Sequence, residues 1–319
     1  MNKTILVTGI AGFIGSHLAE RLLQLDYQLI GIDNFDSVYS PDIKRRNVEA
    51  SMRKDSFKLL EGDIRDMSFL NDVFTTNNID IVVHLAARAG VRPSLEQPFI
   101  YHDVNVTGTL NMLEASRRFR VERFVFTSSS SVYGCNKDLP FKEDAKVDNP
   151  MSPYAASKVA AEVFCRTYCQ IYRIPTVVLR LFTVYGPRQR PEMAVHHFVR
   201  MVNQGEEITV FGDGATSRDY TYIDDIVAGI EAALTQRTEE FQVFNLGCGR
   251  AVRLSQLLSL VEEALGEKAR VKYLTPPPGE VPVTLADISR AQTILGYKPT
   301  INVEEGVPLF VRWYLNNGG

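Results

Sequence analysis

The sequence is short of several features that would each have placed it in a class. It has no apolar run approaching the roughly 20 residues needed to span a bilayer. It has no excess of one charge either: 35 lysines and arginines face 38 aspartates and glutamates, a net charge of −3 over 319 residues. That balance leaves no electrostatic footprint for nucleic acid or an anionic membrane. Internal repeats and low-complexity tails are missing. Cysteine is sparse, and Cys135, Cys165, Cys169 and Cys248 show no metal-ligand pairing. Cys165 and Cys169, one helical turn apart, read as reduced thiols on a helix. A strand begins almost at once at Thr4, which leaves no room for a signal peptide ahead of it. A metal-free, cytoplasmic globular protein is expected, long enough for one large domain or two coupled ones.

What is present is strand–helix alternation. "TILVT" (4–8), "QLIGID" (28–33), "FKLLE" (57–61), "DIVVHLA" (80–86), "RFVFTS" (123–128) and "TVVLRLF" (176–182) read as strands, with helical segments between them. In the first of these, Ile14, Leu18, Leu22 and Leu25 share a helical face. Near-continuous apolar strands separated by helices imply a parallel sheet covered on both sides. After Pro187 turn-rich stretches such as "FGDGATSRD" and "TPPPGEVP" interrupt short helices, and "FQVFNLGCG" (241–249) is expected to return a strand to the main sheet.

"VTGIAGFIGSHLAERLL" places Gly9, Gly12 and Gly15 between the first strand and first helix, with Phe13 and Ile14 in the first turn. Glycines there permit a tight turn, close backbone approach to a pyrophosphate, and strand–helix packing, while the helix N-terminus offers N–H groups to phosphate. Asp33, beside Asn34, lies eighteen residues beyond Gly15, where a carboxylate accepts both ribose hydroxyls and repels a 2′-phosphate. The context points to a dinucleotide, NAD rather than NADP. The expected fold is α/β: a Rossmann-type doubly wound parallel sheet over residues 1–180 and about 220–249. Residues 181–219 and 250–319 would form a smaller C-terminal α/β lobe that binds substrate.

"SPYAASKVAAE" sets Tyr154 and Lys158 four residues apart, on one helical face. A tyrosine is a poor base near neutrality unless nearby cations favour its phenolate, and a lysine ammonium and a nicotinamide ring are two such cations. Ser129, twenty-five residues upstream at a strand end, is placed to pass a proton between substrate and phenolate.

Gly9/Gly12/Gly15, "GDIRD" (62–66), "HLAA" (84–87), "NVTGTLNMLEA" (105–115), "SSSVYG" (129–134) and Tyr154-x-x-x-Lys158 together resemble the extended short-chain dehydrogenase/reductase superfamily, in its nucleotide-sugar epimerase and dehydratase branch. The resemblance runs along essentially the whole chain. It implies that Asp63 and Ile64 flank the adenine, that Leu85, Ala86 and Ala87 line the dinucleotide, and that Asn105 braces the active-site helix. It also implies that Lys158 holds the nicotinamide ribose, that Arg218 grips a diphosphate, that Thr209 and Phe211 lie around a uracil, and that the chain pairs as a homodimer.

Members of this branch begin alike, by oxidising carbon 4 of the sugar. In the 4,6-dehydratases an Asp-Glu pair precedes the Val-Tyr-Gly, and in UDP-glucuronate decarboxylases a glutamate does. Here those positions hold Ser130 and Ser131, and a hydroxyl cannot do that acid/base work near neutrality. Epimerisation is the reaction left. "VPVTLADISRAQTILGYKPTINVEEGVPLFVRWY" (281–314) resembles the tail of UDP-glucuronate 4-epimerases. A uronate oxidised at carbon 4 is a β-keto acid, prone to lose carbon dioxide, so its carboxylate must be held still. Thr183, Arg190 and one or two of Ser129, Ser130 and Ser131 are the expected cradle, since charge-assisted hydrogen bonds are strong and directed. Arg92 is a further substrate candidate. Near 277–280 many relatives carry Arg-x-Gly-Asp; this chain has Pro-Pro-Gly-Glu, where Glu280 can accept from a ribose hydroxyl and Arg250 or Arg253 would have to supply a phosphate contact. The alternatives are a UDP-glucose/UDP-galactose 4-epimerase, a UDP-glucuronate decarboxylase, and a silent NAD-binding protein of the same fold. Retention of both Tyr154 and Lys158 disfavours the last.

Overall fold

The alternating pattern becomes, in the computed structural model, a wound sheet; residues 3–236, 240–275 and 281–317 are described. The chain divides into two compact units, one drawn from 1–135, 144–180 and 227–244, the other from 136–143, 181–226 and 245–319.

The first unit is built on β1 (Thr4–Thr8), β2 (Gln28–Asp33), β3 (Phe57–Glu61), β4 (Ile81–His84), β5 (Arg123–Ser129) and β6 (Thr176–Leu181). Their helices are α1 (Phe13–Gln24), α2 (Pro41–Met52), α3 (Met67–Thr76), the short α4 (Val91–Glu96) and α5 (Pro98–His102), α6 (Gly108–Arg118) and α7 (Pro153–Tyr172). Ahead of α6 lies a π-helical turn, Asp103–Thr107, and after β5 a 3₁₀ turn, Ser130–Tyr133. With β10 (Gln242–Leu246) the strands form, among the described residues, a seven-stranded sheet in the order β10-β6-β5-β4-β1-β2-β3. The strand expected within 241–249 is therefore present, at the edge beside β6.

Pairing is parallel from β5 through β4, β1 and β2 to β3. Thr8 stands level with Ile32 on one side and His84 on the other, so the loops after β1, β2 and β4 leave the sheet together. The strand order reverses between β1 and β4, the kind of switch point where such sheets take ligands at their carboxyl ends. Leu6, Ile30, Val82, Phe124 and Val178 of the sheet pack with Met112 and Leu113 of α6 and Ala161 and Cys165 of α7. Each such side chain contributes about 1.5–3 kcal/mol by leaving water. The helix of Ile14–Leu25 differs from expectation at its end. Leu18 and Leu22 are buried with Gly15, Ser16 and Ala19, but Leu25 is 38% exposed, because the helix stops at Gln24 and Leu25 is its C-cap.

The second unit holds β7 (Thr183–Tyr185), β8 (Glu207–Phe211), β9 (Ser217–Tyr222), β11 (Ala251–Arg253) and β12 (Arg270–Leu274). They form a β11-β9-β7 sheet and a β12-β8 pair. Its helices are α8 (Ala194–Asn203), α10 (Leu254–Leu265), α11 (Ser289–Leu295) and α12 (Val303–Asn316), while α9 (Ile223–Thr235) runs from this unit into the first.

Candidate active site

The loop after β1 shows why it is glycine. Gly9 has φ +70°, and a Cβ there would come 2.9 Å from the Ala86 amide nitrogen. A Cβ on Gly15 would come 2.2 Å from the Gly9 carbonyl oxygen, so only glycine lets α1 approach β1. Gly12 is the N-cap of α1 and brings no side chain to bond its first amides, which leaves them to a ligand. Phe13 and Ile14, half-buried, form that first turn.

Asp33 ends β2 nearly buried, and its carboxylate accepts from the amides of Ala11 (3.1 Å) and Phe35 (2.8 Å). Burial raises its pKa, opposed by Lys44 at 3.8 Å and by those two amides. Two lone-pair positions remain for ribose hydroxyls. Asn34 donates to Asp63 (2.9 Å), which is also gripped by both arms of Arg65 (2.9 and 2.8 Å). The Arg65 hydrogen bond is the main reason Asp63 falls to about 2. Ile64 is buried against Gly108, and its carbonyl accepts from Asn111. Leu85, Ala86 and Ala87 follow β4 half-buried, the Leu85 amide bonded to the Thr8 carbonyl and the Ala86 amide to the Thr8 hydroxyl. The residues present fit a dinucleotide with an unmodified adenosine ribose: a cradle closed to any Cβ, open helix amides, and a fixed carboxylate at the end of the second strand.

On α7, Tyr154 lies edge-on to Tyr101, ring centroids 6.1 Å apart. Lys158, one turn on, is buried, donates to the Thr127 carbonyl (2.8 Å) and sits 4.8 Å from the Phe126 ring centre. Desolvation lowers its pKa to about 8, offset in part by Cys165 and Glu162. Asn105 lies in the π-helical turn. Its oxygen accepts from the Arg88 amide (2.8 Å), and its nitrogen donates to the Arg88 carbonyl and the Ser157 hydroxyl, both 2.9 Å away. The loop after β4 is thereby bolted to α7.

The serine row divides its work. Ser128 points inward and donates to Glu162 (2.5 Å). Ser129 caps the 3₁₀ turn, accepting from the Ser131 amide (3.1 Å) and donating to the Ser131 hydroxyl (3.2 Å). Ser129, Ser130 and Ser131 are all half-buried. Arg92 is exposed on α4.

In the second unit, Thr183 opens β7, half-buried, and Arg190 follows in the loop to α8, its Nε 3.2 Å from Glu192. Thr209 is exposed and Phe211 half-buried on β8, paired with Lys272 and Leu274 of β12. Arg218, on β9, donates to the carbonyls of Ser217 (2.9 Å) and Pro282 (3.3 Å). Arg250 is held by both carboxylate oxygens of Glu304 (2.9 and 2.6 Å), so its fork is engaged within the protein. Glu280 lies outside the described residues.

A family model described as GDP-mannose 4,6 dehydratase matches residues 6–309. The chain belongs to this family, within the extended short-chain dehydrogenases/reductases. It is 42% identical over 98% of its length, and 96% of the other's, to a UDP-glucuronate 4-epimerase of Thermodesulfobacterium geofontis. The structure superposes with a TM-score of 0.93 on a crystal structure of UDP-glucuronic acid 4-epimerase from Bacillus cereus in complex with UDP-glucuronic acid and NAD, at 38% identity over 98% of this chain and 99% of that one. A UDP-glucose 4-epimerase with UDP-glucose from Thermotoga maritima superposes at 0.91, with 34% identity over 98% of this chain and 99% of that one.

Two buried networks of this extended dehydrogenase/reductase chain escaped the motif reading. In one, Glu162 holds Arg180 through two bonds (3.0 and 2.8 Å), and Arg180 donates to the Tyr133 hydroxyl (3.0 Å). With Ser128 it locks the strand end, the 3₁₀ turn and α7 together. In the other, Thr109 donates to the Asn105 carbonyl and so accepts from His84 Nε2 (3.0 Å), which leaves His84 Nδ1 to accept from Thr8 (2.7 Å). Thr8 in turn accepts from the Ala86 amide. The chain of bonds has one direction and fixes His84 as a neutral Nε2–H tautomer. Glu162, four residues beyond Lys158, carried a spacing signal; Arg180 and Thr109 carried none.

Proposed function

We propose that the protein is an NAD-dependent UDP-glucuronate 4-epimerase, interconverting UDP-glucuronate and UDP-galacturonate. The observation that carries this reading is end-to-end likeness to proteins named for that activity, joined to hydroxyls at Ser130 and Ser131. NAD, when bound, would supply the acceptor for the carbon-4 hydride and the donor for its return to the other face of the sugar. Tyr154 removes the O-4 proton and gives it back, Lys158 stabilises the phenolate and holds the nicotinamide ribose, and Ser129 relays the proton. Gly9, Gly12, Phe13, Ile14, Gly15, Asp33 and Asn34 hold the dinucleotide. Thr183, Arg190 and the serine row hold the uronate carboxylate; Arg218, Thr209 and Phe211 hold the uridine diphosphate.

Val163 and Ile171, eight residues apart on α7, are 59% and 63% exposed, and Phe99 of α5 is 84% exposed. Exposed apolar side chains of this size support pairing with a second copy. A cytoplasmic setting agrees with four free thiols, and among the described residues no helix is long and apolar enough to cross a membrane.

The test is mass and proton-NMR analysis of products from UDP-glucuronate, with UDP-glucose in parallel. Inversion at carbon 4 with unchanged mass, from the uronate only, is expected. Turnover of UDP-glucose alone would make the protein a UDP-glucose epimerase, and loss of carbon dioxide would make it a decarboxylase.

A further inference from the structure

Gln189 lies between Thr183 and Arg190 in the chain and is 2% exposed. Every polar group it has is bonded. Its amide donates to the Gly186 carbonyl (3.0 Å), and its side-chain nitrogen donates to the Val184 carbonyl (2.9 Å), next to Thr183. Its side-chain oxygen accepts from the His196 amide (3.1 Å), and its own carbonyl accepts from His196 Nδ1 (2.5 Å). A carbonyl can only accept, so Nδ1 carries the proton.

His196 does not float. Its ring lies edge-on to Phe310, Trp313 and Tyr314 of α12, at 5.4, 6.2 and 5.6 Å between centroids. The same helix carries Gly306 against Tyr185, the residue after Val184, where a Cβ would come 2.0 Å from the tyrosine hydroxyl. One rigid element thus backs both β7 and the start of α8. The turn between them needs such support: Gly186 has φ +140° and Arg188, not a glycine, has φ +63°. Left-handed backbone at such a residue is strained and persists only when its surroundings enforce it.

We infer that Gln189 and His196 are positioning residues that set Arg190 relative to Thr183, and thereby suppress decarboxylation of the enzyme's own 4-keto uronate. The inference rests on the proposed role of Thr183 and Arg190 as the carboxylate cradle. A β-keto acid breaks its C5–C6 bond when that bond lies parallel to the carbon-4 π system. The electron pair then enters the ketone as an enolate, carbon dioxide leaves, and C5 takes up a proton, giving a 4-keto pentose that becomes the UDP-pentose when the hydride taken from carbon 4 is returned. An arginine fork restrains a carboxylate only in a defined plane. Misplacement by about 1 Å is enough to cost up to 100-fold.

The experiment measures the ratio of UDP-pentose to UDP-galacturonate released by holoenzyme from UDP-glucuronate, together with melting temperature. Arg190→Ala calibrates the cradle and should raise the ratio. Gln189→Met, similar in shape but without the hydrogen bonds, should raise it about tenfold, as should His196→Phe, which keeps a ring but loses Nδ1–H. His196→Asn places an amide N–H where Nδ1–H stood. It should keep the wild-type ratio while melting lower, since it loses the ring packing. If Arg190→Ala leaves the ratio unchanged, the cradle reading falls and takes this inference with it. If Arg190→Ala raises the ratio but Gln189→Met and His196→Phe do not, the cradle stands and the inference is overturned. Should Gln189→Met not fold, the two His196 variants decide: a ratio that follows melting temperature rather than the N–H overturns it.

Discussion

Asn105 and Ser157, fifty-two residues apart, share a 2.9 Å hydrogen bond that joins the π-helical turn to the helix carrying Tyr154. Ser157 passes the constraint on by donating to the Tyr154 carbonyl (2.7 Å). The same Asn105 amide brackets Arg88, so the loop that follows β4 and the helix that carries Tyr154 are held by one side chain.

Asn105→Asp should therefore damage orientation more than affinity. It keeps the acceptor toward Arg88 but loses both donated bonds and buries a charge. We expect kcat to fall about 10- to 100-fold while the KM for UDP-sugar changes little, as steady-state kinetics would show. A matched loss in KM would mean that Asn105 serves binding instead.

Lys158→Met should abolish epimerisation and yet leave cofactor-free protein at least as stable as wild type at neutral pH. The folded-state pKa of Lys158 is lowered from 10.5 to about 8, so between these values the unfolded chain holds the proton that the folded chain releases. Wild-type stability then rises with pH across that window, and below it the full cost of burying the cation is present. Denaturant titrations of both proteins from pH 7 to 10.5 should show wild type catching up; parallel curves would refute the assignment.

His84 acts in the same sense, at the acid end of the pH scale. Burial, with a smaller contribution from Lys158, lowers its pKa from 6.5 to about 3. Above pH 6.5 both folded and unfolded states are neutral; as pH falls toward 3 the unfolded chain alone takes up the proton, and stability declines. Nitrogen-15 NMR should find a neutral Nε2–H imidazole at pH 5, and a His84→Phe variant should lose part of the acid sensitivity. A charged imidazole at that pH would contradict the one-way hydrogen-bond chain through Thr8 and Thr109.

Asp33→Ser should weaken retention of NAD by about tenfold or more, through loss of charge-assisted bonds to the ribose. Lys44, 3.8 Å from Asp33, would lose its carboxylate partner, so discrimination against NADP should relax as well. Cofactor content after purification, and exchange with each dinucleotide, measure both effects. Unchanged retention would remove Asp33 from the ribose site.

Local pattern was enough for much of this protein. The six strands read from β-branched runs are six strands of the sheet, within a residue or two at their ends; β1 and β4 show why, since a parallel strand buried on both faces must be apolar along its length, whereas β3 at the sheet edge exposes Lys58 and Glu61. Gly9 and Gly15 were legible for a related reason: a backbone approach under 3 Å admits no other residue. Leu25 shows the limit, since periodicity continued past the point where the helix stops. Other features came only with the tertiary structure. Glu162 meets Arg180, His84 meets Thr109, and Gln189 meets His196 through contacts that no spacing rule encodes. Single polar residues of this kind look like surface until folding removes water and leaves each buried donor and acceptor to find its partner. Sequence by itself determined the fold and the chemical groups; the tertiary structure decided which of those groups are held, by what, and in which protonation state.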